Sequence, residues 1–151
     1  MDYDLAVTIR RPPEVAWALL DDIQDHIRSG SPVPEMEKIP PGPVRVGTRW
    51  REVVRLAPFV TMTMWSEVTA VEPGRLLEET FRGPWMTGRL TYEIEPVADG
   101  CVLHQRETLT PLGPLRFVGG AMDRMLRPRL SARLDAIRDL LEGSPIPTQP
   151  D

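Results

Sequence analysis

Short strand-like segments separated by turn residues fill most of the chain, and they constrain its fold more than any other feature. The segments alternate apolar and polar residues or lie between proline and glycine residues, which is typical of β-strands. The predicted strands span residues 2–10, 36–39, 48–56, 59–71, 75–81, 86–95 and 101–109. Strands joined by connections this short pair antiparallel, and Asp99-Gly100 is a typical hairpin turn. The sequence therefore predicts an antiparallel sheet of seven strands.

A long amphipathic helix is predicted after the last strand, over residues 115–142. Its apolar residues recur every three or four positions, so they lie on one face of the helix. This apolar face comprises Leu115, Val118, Met122, Met125 or Leu126, Leu130, Leu134, Ile137 and Leu141. The opposite face, which we expect to meet solvent, comprises Arg116, Asp123, Arg127, Arg133 and Asp139. Pro128 removes one backbone hydrogen bond, so we expect a kink there.

The sheet and the long helix together predict an α+β fold. A long antiparallel sheet curves because its strands twist, and its concave face needs a cover. The C-terminal helix has the length and the apolar face to provide that cover. Two short helices, over residues 13–21 and 21–27, are predicted between the first and second strands, because Pro13 suits a first helical turn and apolar residues follow at helical spacing.

Length and composition are those of one globular domain. The chain has 151 residues, of which 41% are hydrophobic and 26% charged, and its net charge is −4. An acidic chain argues against non-specific binding of nucleic acid, which needs a basic surface. The single cysteine, Cys101, excludes an internal disulfide. We expect residues 1–142 to form the domain and the proline-rich residues 143–151 to form a disordered tail.

The predicted location of the protein is the cytoplasm. The chain begins Met1-Asp2-Tyr3-Asp4, which lacks the basic start and the apolar run of a signal peptide. No stretch of the sequence approaches the roughly 20 apolar residues that a membrane span needs. We therefore expect no membrane span.

Local motifs, taken together with the order of elements, resemble one known superfamily. The motifs are IRRPPEVAW at residues 9–17, VGTRWRE at 46–52 and VEPGRL at 71–76, followed by Asp99-Gly100 and the long final helix. They are similar to those of the START-like helix-grip superfamily (SRPBCC), in particular its polyketide cyclase/dehydrase-like branch. The resemblance covers residues 3–142. It implies a curved seven-stranded sheet that grips the C-terminal helix, with a deep cavity between them, but it does not specify a function.

Alternation along the strands predicts which side chains face this cavity. In residues 48–56 three arginines share one face, so Trp50 and Glu52 are expected to point inward. The predicted ligand-binding set is Trp50, Glu52, Val54, Met62, Met64, Ser66, Met86, Leu90, Tyr92, Gln105, Glu107, Met122 and Met125. Methionine walls adapt to ligands of variable shape, although methionine is equally common as core filler.

Three of these side chains are candidates for acid–base chemistry. A carboxyl group in an apolar cavity has a raised pKa, which suits a general acid or base. Glu52 is the first candidate, and Glu107 and Tyr92 are the others; alternatively, Glu52 pairs with an arginine or reaches water. The phase of residues 101–109 stays open, because a shift of one residue would turn His104 and Arg106 inward in place of Gln105 and Glu107.

Several kinds of chemistry have no motif in this sequence. Cys101, His26 and His104 do not form a zinc pattern, and nucleotide-binding and serine-hydrolase motifs are absent from the sequence. We expect no metal and no cofactor. The sequence leaves the oligomeric state open.

Three functions remain. The first is binding of a hydrophobic or aromatic small molecule, lipid-like or polyketide-like, in the cavity. The second is a cyclase, aromatase or dehydratase that uses the cavity carboxylates. The third is a protein-interaction module with a filled core, in which Trp65 and Trp85 would contact the partner.

Overall fold

The computed structural model describes residues 1–21 and 35–143, without the side chains at positions 56 and 57. Its strands are β1 (Asp2–Ile9), β2 (Glu35–Ile39), β3 (Arg49–Ala57), β4 (Val60–Glu72), β5 (Leu76–Arg82), β6 (Met86–Val97) and β7 (Gly100–Pro111). Its helices are α1 (Pro13–Asp21), a 3-10 helix (Gly113–Val118) and α2 (Gly119–Gly143). Of the helix predicted over 21–27 only Asp21 is described, as the end of α1, and of the tail predicted over 143–151 only Gly143, as the end of α2; the rest of both lies outside the described residues.

All seven strands form one antiparallel sheet in the order β1-β7-β6-β5-β4-β3-β2. Strands β2 to β7 follow one another as a meander, and β1 pairs with β7 at the end of the row. The predicted antiparallel sheet and the long C-terminal helix are confirmed. Each predicted strand agrees with an observed strand to within two residues at either end.

The strand connections alternate between the two ends of the sheet. The turns after β3 and β5 and the end of β7 lie at one end, which we call the β3–β4 end. Helix α2 starts at this end and finishes at the opposite one, where the backbone N–H of Arg10 donates to Glu142 Oε1 at 2.8 Å. With 25 residues, α2 is about 38 Å long, so it spans the sheet from end to end.

The helix predicted over residues 115–142 consists of two elements. Residues 113–118 form the 3-10 helix, and the regular α-helix begins only at Gly119. Pro114 lacks a backbone N–H and suits a first turn. Gly119 and Gly120 are weak α-helix formers, which accounts for the change of helix type at this point. Helix α2 then continues through Pro128.

The core lies between the inner face of the sheet and the helices. Buried apolar side chains from the strands, α1 and α2 form one cluster, to which α2 contributes Met122, Leu134, Ile137 and Leu141. In the described part of the chain, neither α1 nor α2 combines the length and the apolar composition needed to cross a bilayer. Buried polar side chains also lie on the inner face of the sheet, and they form the candidate site.

Candidate functional site

Two glutamates share one row across the inner face of the sheet. Glu79 on β5 and Glu107 on β7 both pair with Leu90 on the strand between them. Residues paired in this way point to the same face, and two strand spacings place their Cα atoms about 10 Å apart. Both carboxyl groups are buried, each at 9% exposure. The sheet itself therefore brings together two carboxyl groups that are 28 residues apart in the chain.

Tyr92 and Gln105 lie in the neighbouring row, paired with each other on β6 and β7. Gln105 is fully buried, and its Nε2 donates a hydrogen bond of 3.0 Å to Glu107 Oε2. Gln105 Oε1 and the Tyr92 hydroxyl are buried and have no hydrogen-bond partner among the described residues. A buried polar atom without a partner costs free energy, so these two atoms are available to a bound molecule.

Glu52 is the third carboxylate of the inner face. It lies on β3 between Met36 of β2 and Met64 of β4, both of which are buried. Unlike these neighbours, Glu52 keeps part of its surface accessible. Glu52 is therefore the most accessible of the three carboxyl groups.

Arg133 brings a positive charge to the same interior. It lies on α2 between Leu130 and Ile137 and interacts electrostatically with Tyr92 and with all three carboxylates, Glu52, Glu79 and Glu107. The expectation that Arg133 faces solvent was wrong. The spacing 130, 133, 137 is itself a helical repeat of three and four residues, and it places the guanidinium on the buried side of α2.

Burial raises the pKa values of all three carboxyl groups. The pKa of Glu79 rises from 4.5 to about 8, because burial and then the charge of Glu52 disfavour ionisation more than Arg133 favours it. Burial also raises the pKa of Glu52 and of Glu107, and in both cases Arg133 opposes the rise. Near neutral pH, Glu79 is mostly protonated and can donate a hydrogen bond.

Tyr92 and Arg133 are also perturbed. Burial is the main cause that raises the pKa of Tyr92 to about 12, with Arg133 acting in the opposite direction. The pKa of Arg133 is raised by Tyr92 and by the carboxylates, against burial. The cluster thus combines one permanent cation, a neutral phenol and three carboxyl groups whose pKa values are all raised.

The structure places most of the predicted ligand-binding residues on the inner face. Strand β7 has the phase that turns Gln105 and Glu107 inward, while His104 contacts Glu95 at 3.0 Å and Arg106 is exposed. Val54, Met86 and Glu52 are partly buried, whereas the following predicted residues are buried: Trp50, Met62, Met64, Ser66, Leu90, Tyr92, Gln105, Glu107 and Met122. The prediction that Met125 faces the cavity was wrong, because Met125 is 48% exposed and Leu126 packs on the core instead.

Glu79 did not figure among the predicted site residues. The signal was present in the sequence, because Leu77, Glu79 and Phe81 alternate along β5, and two apolar residues at i−2 and i+2 place the carboxyl group between them on the buried face. A charged residue at an inward position of a strand is a stronger indication of function than the apolar positions around it.

An open groove of about 430 Å³ lies on the opposite, outer side of the sheet. It is lined by Arg49, Trp65, Ser66, Glu67, Thr80, Phe81, Arg82 and Thr87. Most of these side chains point away from α2, and Arg49 pairs with Glu67 at 3.2 Å. The groove is therefore separate from the carboxylate cluster, and it is a second place where a ligand could contact the sheet.

The carboxylates do not form a metal site. Across residues 1–21 and 35–143, no three His, Cys, Asp or Glu side chains are arranged so that they could hold a metal ion. Cys101 is buried, and burial raises the pKa of its thiol, which disfavours the reactive thiolate. The chemistry available to the interior cluster is hydrogen bonding and proton transfer.

Comparison with known proteins agrees with this architecture. The family described as polyketide cyclase / dehydrase and lipid transport matches residues 2–142. Among curated protein sequences, none matches this chain.

Several solved structures share the fold at low sequence identity. An uncharacterised protein from Rhizobium leguminosarum has a TM-score of 0.75 and 12% identity, covering 95% of each chain. The Zhui aromatase/cyclase from a Streptomyces species has a TM-score of 0.74 and 15% identity, over 94% of this chain and 93% of that one. Ara h 8.0201 has a TM-score of 0.71 and 13% identity, over 95% of this chain and 99% of that one.

Proposed function

Because the chain belongs to the family of polyketide cyclases, dehydrases and lipid-transport proteins, we propose that it binds a hydroxylated aromatic small molecule between the sheet and α2. The observation that carries the proposal is the convergence of Glu52, Glu79, Glu107 and Arg133 on an otherwise apolar interior. Burying ionisable groups costs free energy, so their presence in an apolar interior is typical of a functional site. A filled core that served only to support an outer binding surface would be more stable with apolar residues at these positions.

The charges of the cluster favour a particular ligand chemistry. Three carboxyl groups face a single guanidinium, so the interior already holds enough acceptors to neutralise Arg133. An anionic ligand such as a fatty acid would add a further negative charge to a poorly solvated space. Phenolic hydroxyl groups instead donate to carboxylates, and a neutral aromatic ring suits the surrounding apolar side chains, which include Met62, Met64 and Leu90.

The experiment compares two probes that share a skeleton. Resveratrol carries phenolic hydroxyl groups, and trans-stilbene is the same skeleton without them. Binding is measured by quenching of tryptophan fluorescence and checked by calorimetry. We expect resveratrol to bind at least about tenfold more tightly than trans-stilbene, because each charge-assisted hydrogen bond contributes about 1.5–3 kcal/mol. Equal affinities, or tighter binding of a fatty acid such as oleate, would contradict the proposed ligand chemistry.

A matched pair of variants locates the probe. Glu107→Leu removes an interior acceptor, whereas Glu67→Leu removes a carboxylate on the outer face, beside the groove. The proposal expects the first variant to weaken resveratrol binding about tenfold and the second to leave it unchanged. The reverse result would assign the probe to the outer groove.

A second candidate function is acid–base catalysis on a polyketide-like substrate, and the pKa of Glu79 favours it. A carboxyl group with a pKa of about 8 can gain or lose a proton near neutral pH. In the dehydration of a β-hydroxy ketone, a carboxylate removes the α-proton while a carboxylic acid protonates the departing hydroxyl group, so that water leaves and a C=C bond forms. Glu79 is suited to the role of the general acid, and Glu107 to the role of the general base.

The test uses an aromatic β-hydroxy ketone as substrate and follows the absorbance of the conjugated product. Glu79→Gln keeps the shape of the side chain but cannot exchange a proton, so we expect the rate to fall by at least about a hundredfold. Glu78→Gln, next to it on the outer face, is the control. If wild type gives no rate above buffer, or if Glu79→Gln matches wild type, the catalytic candidate is excluded and the binding proposal is unaffected.

A further inference from the structure

Exposed apolar side chains collect at the β3–β4 end of the molecule. Six of them lie there, and we call this set the apolar rim: Phe59, Val60, Trp85, Phe117, Val118 and Met125. Phe59 is 100% exposed and Phe117 is 77% exposed. Phe59 and Val60 lie where the β3–β4 turn enters β4, Trp85 lies in the β5–β6 turn, Phe117 and Val118 end the 3-10 helix, and Met125 lies in the second turn of α2. The topology brings these segments to one end of the sheet.

The β3–β4 hairpin extends beyond the rest of the sheet at this end. Pairing between β4 and β5 stops at Trp65 and Arg82, so residues 60–64 have no partner on β5. At about 3.3 Å per residue, the hairpin projects about 16 Å past that point. Phe59 at its tip cannot be covered by the sheet. At the same end, the backbone N–H of Leu112 donates to the carbonyl oxygen of Trp85 at 2.8 Å, so Trp85 lies next to the 3-10 helix.

The charge of these segments differs from that of the whole chain. The chain has 22 acidic and 18 basic residues, yet residues 55–62, 82–88 and 110–122, which hold five of the six rim residues, contain no acidic residue. Asp123, close to the sixth, pairs with Arg127 at 3.3 Å. The three segments contain Arg55, Arg82 and Arg116. None of the three arginines has an ion-pair partner among residues 1–21 and 35–143, and Arg116 stacks over the Phe117 ring at 4.7 Å. The apolar rim is thus accompanied by unpaired positive charge.

We infer that the apolar rim docks on the surface of an anionic lipid bilayer. Aromatic side chains prefer the bilayer interface, and arginine beside them is attracted to anionic headgroups. The charge complementarity selects this partner, and so does the shape, because a projecting β3–β4 turn beside the adjoining β5–β6 turn and 3-10 helix suits insertion into a soft surface better than contact with a flat protein face. At the opposite end, Glu72 is the last residue of β4 and pairs with Arg75, Glu95 lies near the end of β6, and Asp99 lies in the turn after β6. The inference is independent of the proposed ligand site.

The experiment measures co-sedimentation of the full chain with two kinds of vesicle. One kind is phosphatidylcholine alone, and the other is phosphatidylcholine mixed with phosphatidylglycerol. We expect binding to the mixed vesicles, weaker binding to phosphatidylcholine, and a loss of the difference at high salt. The double variant Phe59→Asp/Phe117→Asp should lower the affinity for mixed vesicles by at least about tenfold.

The matched control is Val46→Asp, an apolar residue that is 62% exposed between β2 and β3, at the other end of the sheet. It should bind mixed vesicles as wild type does. Circular dichroism checks that all variants are folded, and resveratrol binding by the double variant tests whether the interior is intact. The inference is overturned if wild type binds neither vesicle, or if the double variant and Val46→Asp lose the same affinity. A pull-down in which the rim instead holds a protein while vesicles do not bind also overturns it.

Discussion

Replacing Glu79 by glutamine should stabilise the protein, and only above mildly acidic pH. The carboxyl group is 9% exposed, and its pKa rises from 4.5 to about 8 because of burial and the charge of Glu52. Glutamine has the shape of the protonated carboxyl group, and it carries no charge at any pH. The substitution therefore removes the cost of ionising a buried group and keeps the packing.

Proton linkage gives the direction in which pH changes the contribution of Glu79 to stability. Between pH 4.5 and about 8 the folded protein keeps the proton on Glu79 while the unfolded chain releases it, so the contribution of this group to stability falls as the pH rises through that window. It is fully present below pH 4.5 and lost above about 8. The difference between the two pKa values corresponds to about 5 kcal/mol. The free energy of unfolding of Glu79→Gln should therefore equal that of wild type in acid and exceed it by up to about 5 kcal/mol at alkaline pH.

The assay is urea unfolding of both proteins at a series of pH values, with Glu37→Gln as the control. Glu37 is exposed on β2, so its replacement should leave the difference from wild type independent of pH. If the free energy of unfolding of Glu79→Gln differs from that of wild type by the same amount from acid to alkaline pH, the raised pKa of Glu79 is contradicted. The carboxyl group would then ionise as it does in the unfolded chain.

Three further predictions follow from the same contacts. Arg133→Met leaves the interior carboxylates without their cation, so it should lower the free energy of unfolding at neutral pH by about 3 kcal/mol. Urea unfolding compares this variant with Arg129→Met on the exposed side of α2, and equal losses of stability in the two variants would contradict the prediction. Tyr92→Phe removes a buried hydroxyl group that has no partner in the described structure, so the free energy of unfolding should change by less than about 1 kcal/mol while resveratrol binding weakens. Urea unfolding and fluorescence quenching measure the two effects, and a large loss of stability would contradict the absence of a hydrogen-bond partner. Gly88→Ala would press its Cβ against the Thr108 carbonyl oxygen and the Phe81 ring, so it should lower the free energy of unfolding by about 3 kcal/mol. Gly120→Ala meets open space in α2 and should raise the free energy of unfolding by about 1 kcal/mol. Thermal unfolding compares the two variants, and a Gly88→Ala protein as stable as wild type would contradict the packing of β5, β6 and β7.

The strands and their order could be predicted because their signals are local. Alternation and turn residues fix each strand, and short connections leave antiparallel pairing as the only choice. The inward direction of Trp50 and Glu52 was also predictable, since Arg49, Arg51 and Arg55 could not all be buried on the same face. The motifs at helix starts and turns then indicated the superfamily.

The composition of the carboxylate cluster was harder to predict because it depends on register between distant strands. Glu79 and Glu107 meet only because both pair with Leu90, and nothing in the sequence near either glutamate specifies that partner. Arg133 was placed wrongly because a charged residue beside an apolar stripe is usually solvated. Its position becomes clear only when three carboxyl groups on the inner face of the sheet need a cation.

Methionine methyl NMR tests whether the ligand lies between the sheet and α2, as proposed. The seven methionines give one methyl signal each. Met62, Met64 and Met122 are buried on the inner side, Met86 is partly buried, and Met125 is 48% exposed. On addition of resveratrol, the methyl signals of Met62, Met64 and Met122 should shift, while that of Met125 should not move. Shifts confined to Met125, or no shift of any inner methionine at saturating probe, would contradict the proposal.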